Sequence, residues 1–160
     1  MDTAQAERLV SQYADMILRI SYSYLKQTCD AEDICQTVFL KMLTRDLHFD
    51  TPEHEKAYII RATVNTCKDH LKSSFFRKTV PLEDAQTMAA PQAPDSPVLE
   101  ALKALPKNYR VPMYLYYYED YSAGEIGKIL GKSEGSITTC LSRGRKKLRE
   151  FLQEEGEMYL

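Results

Sequence analysis

Five basic residues in seven, Arg143, Arg145, Lys146, Lys147 and Arg149, follow a group of small hydroxyl side chains at Ser136, Thr138, Thr139 and Ser142. Guanidinium and ammonium groups neutralise phosphates, while hydroxyls hydrogen-bond to base edges and phosphate oxygens, so this combination suits the groove of a duplex. Between Lys107 and Arg149 there are nine basic residues and four acids, although the 160-residue chain carries a net charge of −2. From Glu150 onward come four acids and no base. A second basic stretch runs from Lys56 to Lys78, where Lys56, Arg61, Lys68, Lys72, Arg77 and Lys78 stand against the single acid Asp69. A basic run could merely complement its own helix dipole. The elements around the first run favour DNA.

Those elements form a helix-turn-helix. Ser122 caps a short helix and Glu125, three residues on, completes a capping box. Ile126 and Leu130 mark its buried face, Gly127 admits a second helix at close range, and Gly131 allows the left-handed turn that ends it. Ser133 caps the next helix, with Ile137, Leu141 and Leu148 inward and the basic run near its end. Ahead of this unit lie Leu99, Leu102 and Leu105, then Pro106 as a first helical residue; Pro112 should bend or break the helix that follows. Arg110, beside it, has a structural role within the domain as its leading reading and a phosphate contact as the other.

The first half of the chain carries two apolar stripes at helical spacing. Leu9, Tyr13, Met16, Ile17 and Ile20 form one; Ile34, Val38, Phe39, Met42 and Leu43 form the other, with Asp30 as its N-cap. Residues 47–53 read as a loop, and Pro52 stands near the start of the next helix. Pro81, Pro91, Pro94 and Pro97 interrupt any periodicity between the halves. The expected organisation is all-α: a four-helix N-terminal bundle over residues 1–74, a flexible Pro-rich linker over 75–97 and a helix-turn-helix domain over 98–155.

Composition excludes several classes. Hydrophobic residues make up 44% and charged residues 28%, as in a globular domain, and no apolar run approaches the ~20 residues that span a bilayer. Cys29, Cys35, Cys67 and Cys140 form no C-x-x-C pair, which suits free thiols in a reducing cytoplasm. Cys29 and Cys35 are candidate redox sensors, with plain buried thiols the commoner case. The scattered cysteines with His48, His54 and His70 lack metal-ligand spacing, and there is no phosphate loop, nucleophile elbow or catalytic carboxylate pair. No metal, cofactor, small-molecule substrate or enzymatic activity is expected.

The segment Asp30-Ala-Glu-Asp-Ile-Cys-Gln-Thr-Val-Phe-Leu-Lys-Met-Leu resembles the core signature of bacterial sigma-70-family factors. Ala57-Tyr-Ile-Ile-Arg-Ala-Thr-Val-Asn-Thr-Cys-Lys-Asp-His-Leu-Lys is similar to that family's promoter-melting helix. Leu105-Pro-Lys-Asn-Tyr-Arg, Tyr121-Ser-Ala-Gly-Glu-Ile-Gly-Lys-Ile-Leu-Gly and Gly135-Ser-Ile-Thr-Thr-Cys-Leu-Ser-Arg-Gly-Arg-Lys-Lys-Leu resemble its C-terminal DNA-binding domain. Their order and the proline-rich gap match the extracytoplasmic-function (ECF) group, and the resemblance covers most of residues 9–72 and 98–152.

The resemblance implies a protein that binds RNA polymerase core and directs promoter-specific initiation. Asp33, Gln36 and Lys41 map to the polymerase-docking helix, where Thr37 stands in place of a common Glu. Asn65 maps to a position that contacts a flipped base of the −10 element, with Arg61, Lys68 and Lys72 on its backbone; His48, Phe49 and Tyr58 are aromatic candidates for stacking, Tyr58 where the family usually has Trp, although core packing is the leading reading of Tyr58 and His48 has no assigned role. Ser136, Thr138, Thr139, Ser142, Arg143, Arg145 and Lys146 are the candidates for the −35 element. Many relatives have Lys or Arg where Thr138 and Cys140 stand. Implied partners are core polymerase, promoter DNA as duplex and as melted strand, and an anti-sigma protein. The rival readings are a stand-alone helix-turn-helix regulator and a polymerase-binding antagonist.

Overall fold

A computed structural model describes residues 2–25, 28–45, 47–76 and 97–154. Seven α-helices account for most of them: α1 (Thr3–Leu25), α2 (Thr28–Thr44), α3 (Pro52–Phe76), α4 (Pro97–Ala104), α5 (Lys107–Tyr117), α6 (Ala123–Leu130) and α7 (Glu134–Glu154). The chain divides into two compact units, Met1–Ala93 and Pro94–Leu160. Residues 77–96, which hold most of the expected linker, lie outside the described residues.

In the first unit α1, α2 and α3 pack on one another pairwise. The expectation of a four-helix bundle is corrected to three helices among the described residues, because the third runs unbroken for 25 residues. The α1 stripe is buried as its spacing predicts, through Leu9, Tyr13, Met16, Ile17 and Ile20. From α2 the core takes Ala31, Ile34, Val38 and Met42; from α3 it takes Ile59, Ile60, Val64 and Cys67. Phe39 is only half-buried, and Leu43, read as core, is 44% exposed. Asp30 proves to be a first-turn residue, since α2 begins at Thr28. Its carboxylate is favourable there against the helix dipole, and it faces His70 Nε2 of α3 at 3.6 Å.

A charged pin joins α1 to α3. Arg8 donates from both terminal nitrogens to Glu55, at 3.0 and 2.8 Å, and the Tyr13 hydroxyl donates to the same carboxylate at 2.8 Å. The Glu55 side chain is only 12% exposed. The Arg8 hydrogen bonds, with help from Tyr13, hold its carboxyl below the usual range against the opposing effect of burial.

In the second unit α7 packs against α4, α5 and α6. The core comprises Ala101, Leu102 and Leu105, then Val111, Met113, Tyr114 and Leu115, with Ile126, Ile129, Ile137 and Leu141 from the last two helices. Ile129 takes the buried place expected for Leu130, and Leu130 and Leu148 are half-buried. Pro106 is the N-cap of α5, one residue ahead of its expected place. Pro112 neither ends nor interrupts α5. Arg110 is buried, which selects its structural reading over the phosphate contact.

Candidate nucleic-acid and partner interfaces

The turn that sets α7 is built as its residues require. Ser122 Oγ accepts from the Glu125 backbone N–H at 3.2 Å while Glu125 Oε1 accepts from the Ser122 N–H at 2.9 Å, a closed capping box. The Ser122 backbone N–H, with help from the Ser122 side chain, keeps the exposed Glu125 carboxyl below its ordinary value. At the other end Gly131 has φ 71°, a left-handed conformation in which a Cβ would strain the chain. Gly127 serves the turn rather than a crossing helix: a Cβ there would stand 2.6 Å from the Lys132 carbonyl oxygen. Ser133 then caps α7, its Oγ accepting from the Ser136 N–H at 3.1 Å.

On α7, Ile137, Leu141 and Gly144 are buried. At about 100° per residue, Ser136, Thr139, Ser142, Arg143 and Lys146 share the opposite face, and all five are exposed. Thr138 and Arg145 fall on the flank, and both side chains are already engaged. The Thr138 hydroxyl donates to the Glu134 carbonyl at 3.0 Å, and Arg145 donates to the Tyr117 hydroxyl at 3.5 Å. An open cleft of about 460 Å³ lies between the start of α5, at Asn108 and Tyr109, and the first turns of α7, with Lys132 and Arg143 on its wall. Cys140 lines the same cleft, and burial raises its thiol pKa against a smaller opposite effect of Lys132.

A second stripe runs along α3. Arg61, Asn65, Lys68 and Lys72 are exposed and, at steps of four, three and four residues, lie on one face. The same periodicity carries the face back through Tyr58 and His54, so it extends over roughly 27 Å of helix. Phe49, in the preceding loop, packs its ring 5.2 Å from both His54 and Tyr58. His48 is exposed beside it. His54, which the sequence offers only as a metal-ligand candidate, joins this face through its spacing from Tyr58. The chemistry is that of a single-strand track, with aromatic surface at one end and cations along it.

The third surface is on α2. Asp33 and Gln36 are exposed and share a face with Glu32, Leu40 and Leu43. Leu40 is 62% exposed and Leu43 44%. Neither leucine is legible in the sequence as a partner contact: Leu43 falls in the apolar stripe that reads as core, and Leu40 lies outside that stripe. Lys41 is not on this face: it sits about 140° around the helix from Gln36, and its Nζ donates to Thr66 Oγ1 of α3 at 3.3 Å. The Thr37 hydroxyl is turned onto its own helix, donating to the Asp33 carbonyl at 2.8 Å. Burial pushes the thiols of Cys35 and Cys67 up to about 11, so both remain protonated at neutral pH. Among the described residues no three His, Cys, Asp or Glu side chains are grouped to hold a metal, and no helix is long and apolar enough to cross a membrane.

A helical unit with polar and apolar exposed faces, followed by a capped helix-turn-helix with a basic one, defines a DNA-binding protein of the helix-turn-helix class. Residues 9–74 match the model of Sigma-70 region 2, and residues 96–148 match that of Sigma-70 region 4. The chain is 28% identical over 152 residues to the RNA polymerase sigma factor SigV of Bacillus subtilis, covering 91% of this chain and 90% of that one. It is 27% identical to the ECF sigma factor SigE of Mycolicibacterium smegmatis, covering 94% of this chain and 62% of that relative's length. The fold matches the sigma factor RpoE from Bartonella quintana, solved with the anti-sigma factor NepR, at a TM-score of 0.74 and 19% identity, covering 92% of this chain and 96% of that one. It also matches CnrH, solved with the cytosolic domain of CnrY, at a TM-score of 0.65 and 19% identity, covering 96% and 90%. The chain belongs to the sigma-70 family, in its ECF group.

Proposed function

We propose that this chain is an RNA polymerase sigma factor whose three exposed surfaces carry out the three steps of promoter recognition. The observation that carries the reading is their separate chemistries: acidic and apolar on α2, aromatic and basic on α3, basic with hydroxyls on α7. The α2 face, Glu32, Asp33, Gln36, Leu40 and Leu43, docks on core polymerase. Apolar surface left open on a helix rimmed by charge is what a stable partner would cover.

The α3 face, with Asn65 at its centre and Arg61, Lys68 and Lys72 along it, receives the melted −10 strand. Unstacked bases offer the amide their Watson–Crick edge, and the Phe49, His54 and Tyr58 rings offer them a stacking surface. The exposed α7 face enters the major groove at the −35 element. There Ser136, Thr139, Ser142 and Arg143 approach bases and phosphates, Lys146 neutralises backbone, and Thr138 and Arg145 flank the contact. The assignment of residues 1–74 to docking and melting, 75–97 to a tether and 98–155 to upstream recognition follows from this reading. The protein then works in the cytoplasm, makes no bond itself, and leaves catalysis to the polymerase. Because one structural relative, RpoE, was solved with an anti-sigma factor, an anti-sigma protein that covers the α2 face is the expected form of control.

The test adds the purified chain to sigma-free core polymerase and measures run-off transcripts from fragmented genomic DNA. Discrete transcripts that vanish with Asp33→Arg support the reading. Core binding without transcripts would make the protein an antagonist, and neither would leave a helix-turn-helix regulator.

A further inference from the structure

Proline at position 112 has no N–H, so the helical hydrogen bond it would give to the carbonyl four residues back, that of Asn108, cannot form. That carbonyl lies on the cleft between α5 and α7, and the Cys140 Sγ–H of α7 donates to it at 3.3 Å. One turn further along α7, Gly144 lies close against Met113 of α5, with a Cβ there only 3.0 Å from the Met113 sulfur. The two helices are therefore registered at two adjacent points: a close-packed glycine and a thiol bonded to the carbonyl that proline leaves open.

We infer that Cys140 is a positioning residue for upstream-element recognition, its thiol using the Asn108 carbonyl released by Pro112 to set the rotation of α7 against α5. The inference rests on the proposed role of the α7 face. Cys140 is the immediate neighbour of Thr139 and lies four and three residues from Ser136 and Arg143, so any turn of the helix about this contact displaces all three. Base readout tolerates displacements of only about 0.5 Å or 10–20°.

The test uses the full chain assembled with core polymerase and a promoter recovered from the run-off experiment. The readout is the ratio of transcription from that promoter to transcription from the same promoter with its upstream element scrambled. Cys140→Ser keeps a donor at the position and should keep the ratio. Cys140→Val fills the space without a donor and should reduce the ratio about twofold, the lower end of what one hydrogen bond contributes where the donor is a weak thiol and water reaches the acceptor. Pro112→Ala restores the backbone donor to Asn108, so adding Cys140→Val to that background should cost much less.

Circular dichroism confirms that each variant is helical at the assay temperature. A Cys140→Val ratio equal to that of the unmodified protein would overturn the inference. An equal loss from Cys140→Val with and without Pro112→Ala would overturn it too, since the thiol would then act independently of the freed carbonyl. If the unmodified protein itself showed no preference for the intact upstream element, the failure would belong to the role given to α7.

Discussion

Glu55 shows how one side chain ties a helix pair together and what it contributes with pH. Its carboxylate accepts two bonds from Arg8 and one from Tyr13 while mostly shielded from water, and its folded pKa lies below the unfolded value. A depressed carboxylate stabilises the fold above its unfolded pKa, about 4.3, and loses that contribution as pH falls through the folded pKa. Glu55→Gln should therefore cost about 1 kcal/mol at neutral pH in urea unfolding, with the difference from the unmodified protein closing below about pH 4. A difference that stayed constant into acid would assign the loss to packing instead. Gly127 is a second residue whose role depends on one distance: the 2.6 Å gap between its missing Cβ and the Lys132 carbonyl makes it a turn residue, whereas its small size alone suggested a helix crossing.

At the scale of single helices, two faces make separable predictions. Leu40 and Leu43 of α2 are exposed, so replacing them should not disturb folding, where surface substitutions usually stay within about 0.5 kcal/mol. Leu40→Asp should weaken core-polymerase binding at least about tenfold, the scale of a central contact in an interface, with an unchanged melting temperature. A lowered melting temperature with intact binding would place Leu40 in the fold and remove it from the docking face. On α3, Lys68 and Lys72 are assigned to the strand backbone. Each phosphate contact to a single strand adds about 0.7 to the slope of log affinity against log salt. Holoenzyme bearing Lys68→Ala and Lys72→Ala together should then bind a pre-melted promoter with a slope shallower by about 1.4. An unchanged slope would mean these lysines do not meet phosphate.

For the whole molecule, the two compact units and the stretch that joins them make activity depend on effective concentration. Two modest contacts to one promoter multiply when tethered, and the gain falls with roughly the −3/2 power of tether length. Doubling the chain between Phe76 and Pro97 with Gly-Ser sequence should lower promoter-specific run-off about threefold and leave core binding unchanged. A complete loss would point to a segment with a specific path, and no loss to units that act without mutual help. The net charge of −2 belongs to this scale as well. It hides basic faces on α3 and α7, because acids elsewhere in the chain offset them.

Residue types and spacing were enough to specify the all-helical class, the division into two units, the capping box, the turn glycine and the buried stripe of α1. These rest on local hydrogen bonding and on the 3.6-residue period, both of which neighbouring residues specify. The sequence also placed Arg61, Asn65, Lys68 and Lys72 on one face, since their spacing alone does so. Packing selects which apolar residues of α2 face outward, because Leu43 and Met42 are equally apolar and contact with α1 and α3 distinguishes them. It likewise carried Lys41 to Thr66, Arg145 to Tyr117 and Cys140 to the carbonyl freed by Pro112. Those contacts join residues on different helices, and no spacing along the chain encodes the rotation of one packed helix against another.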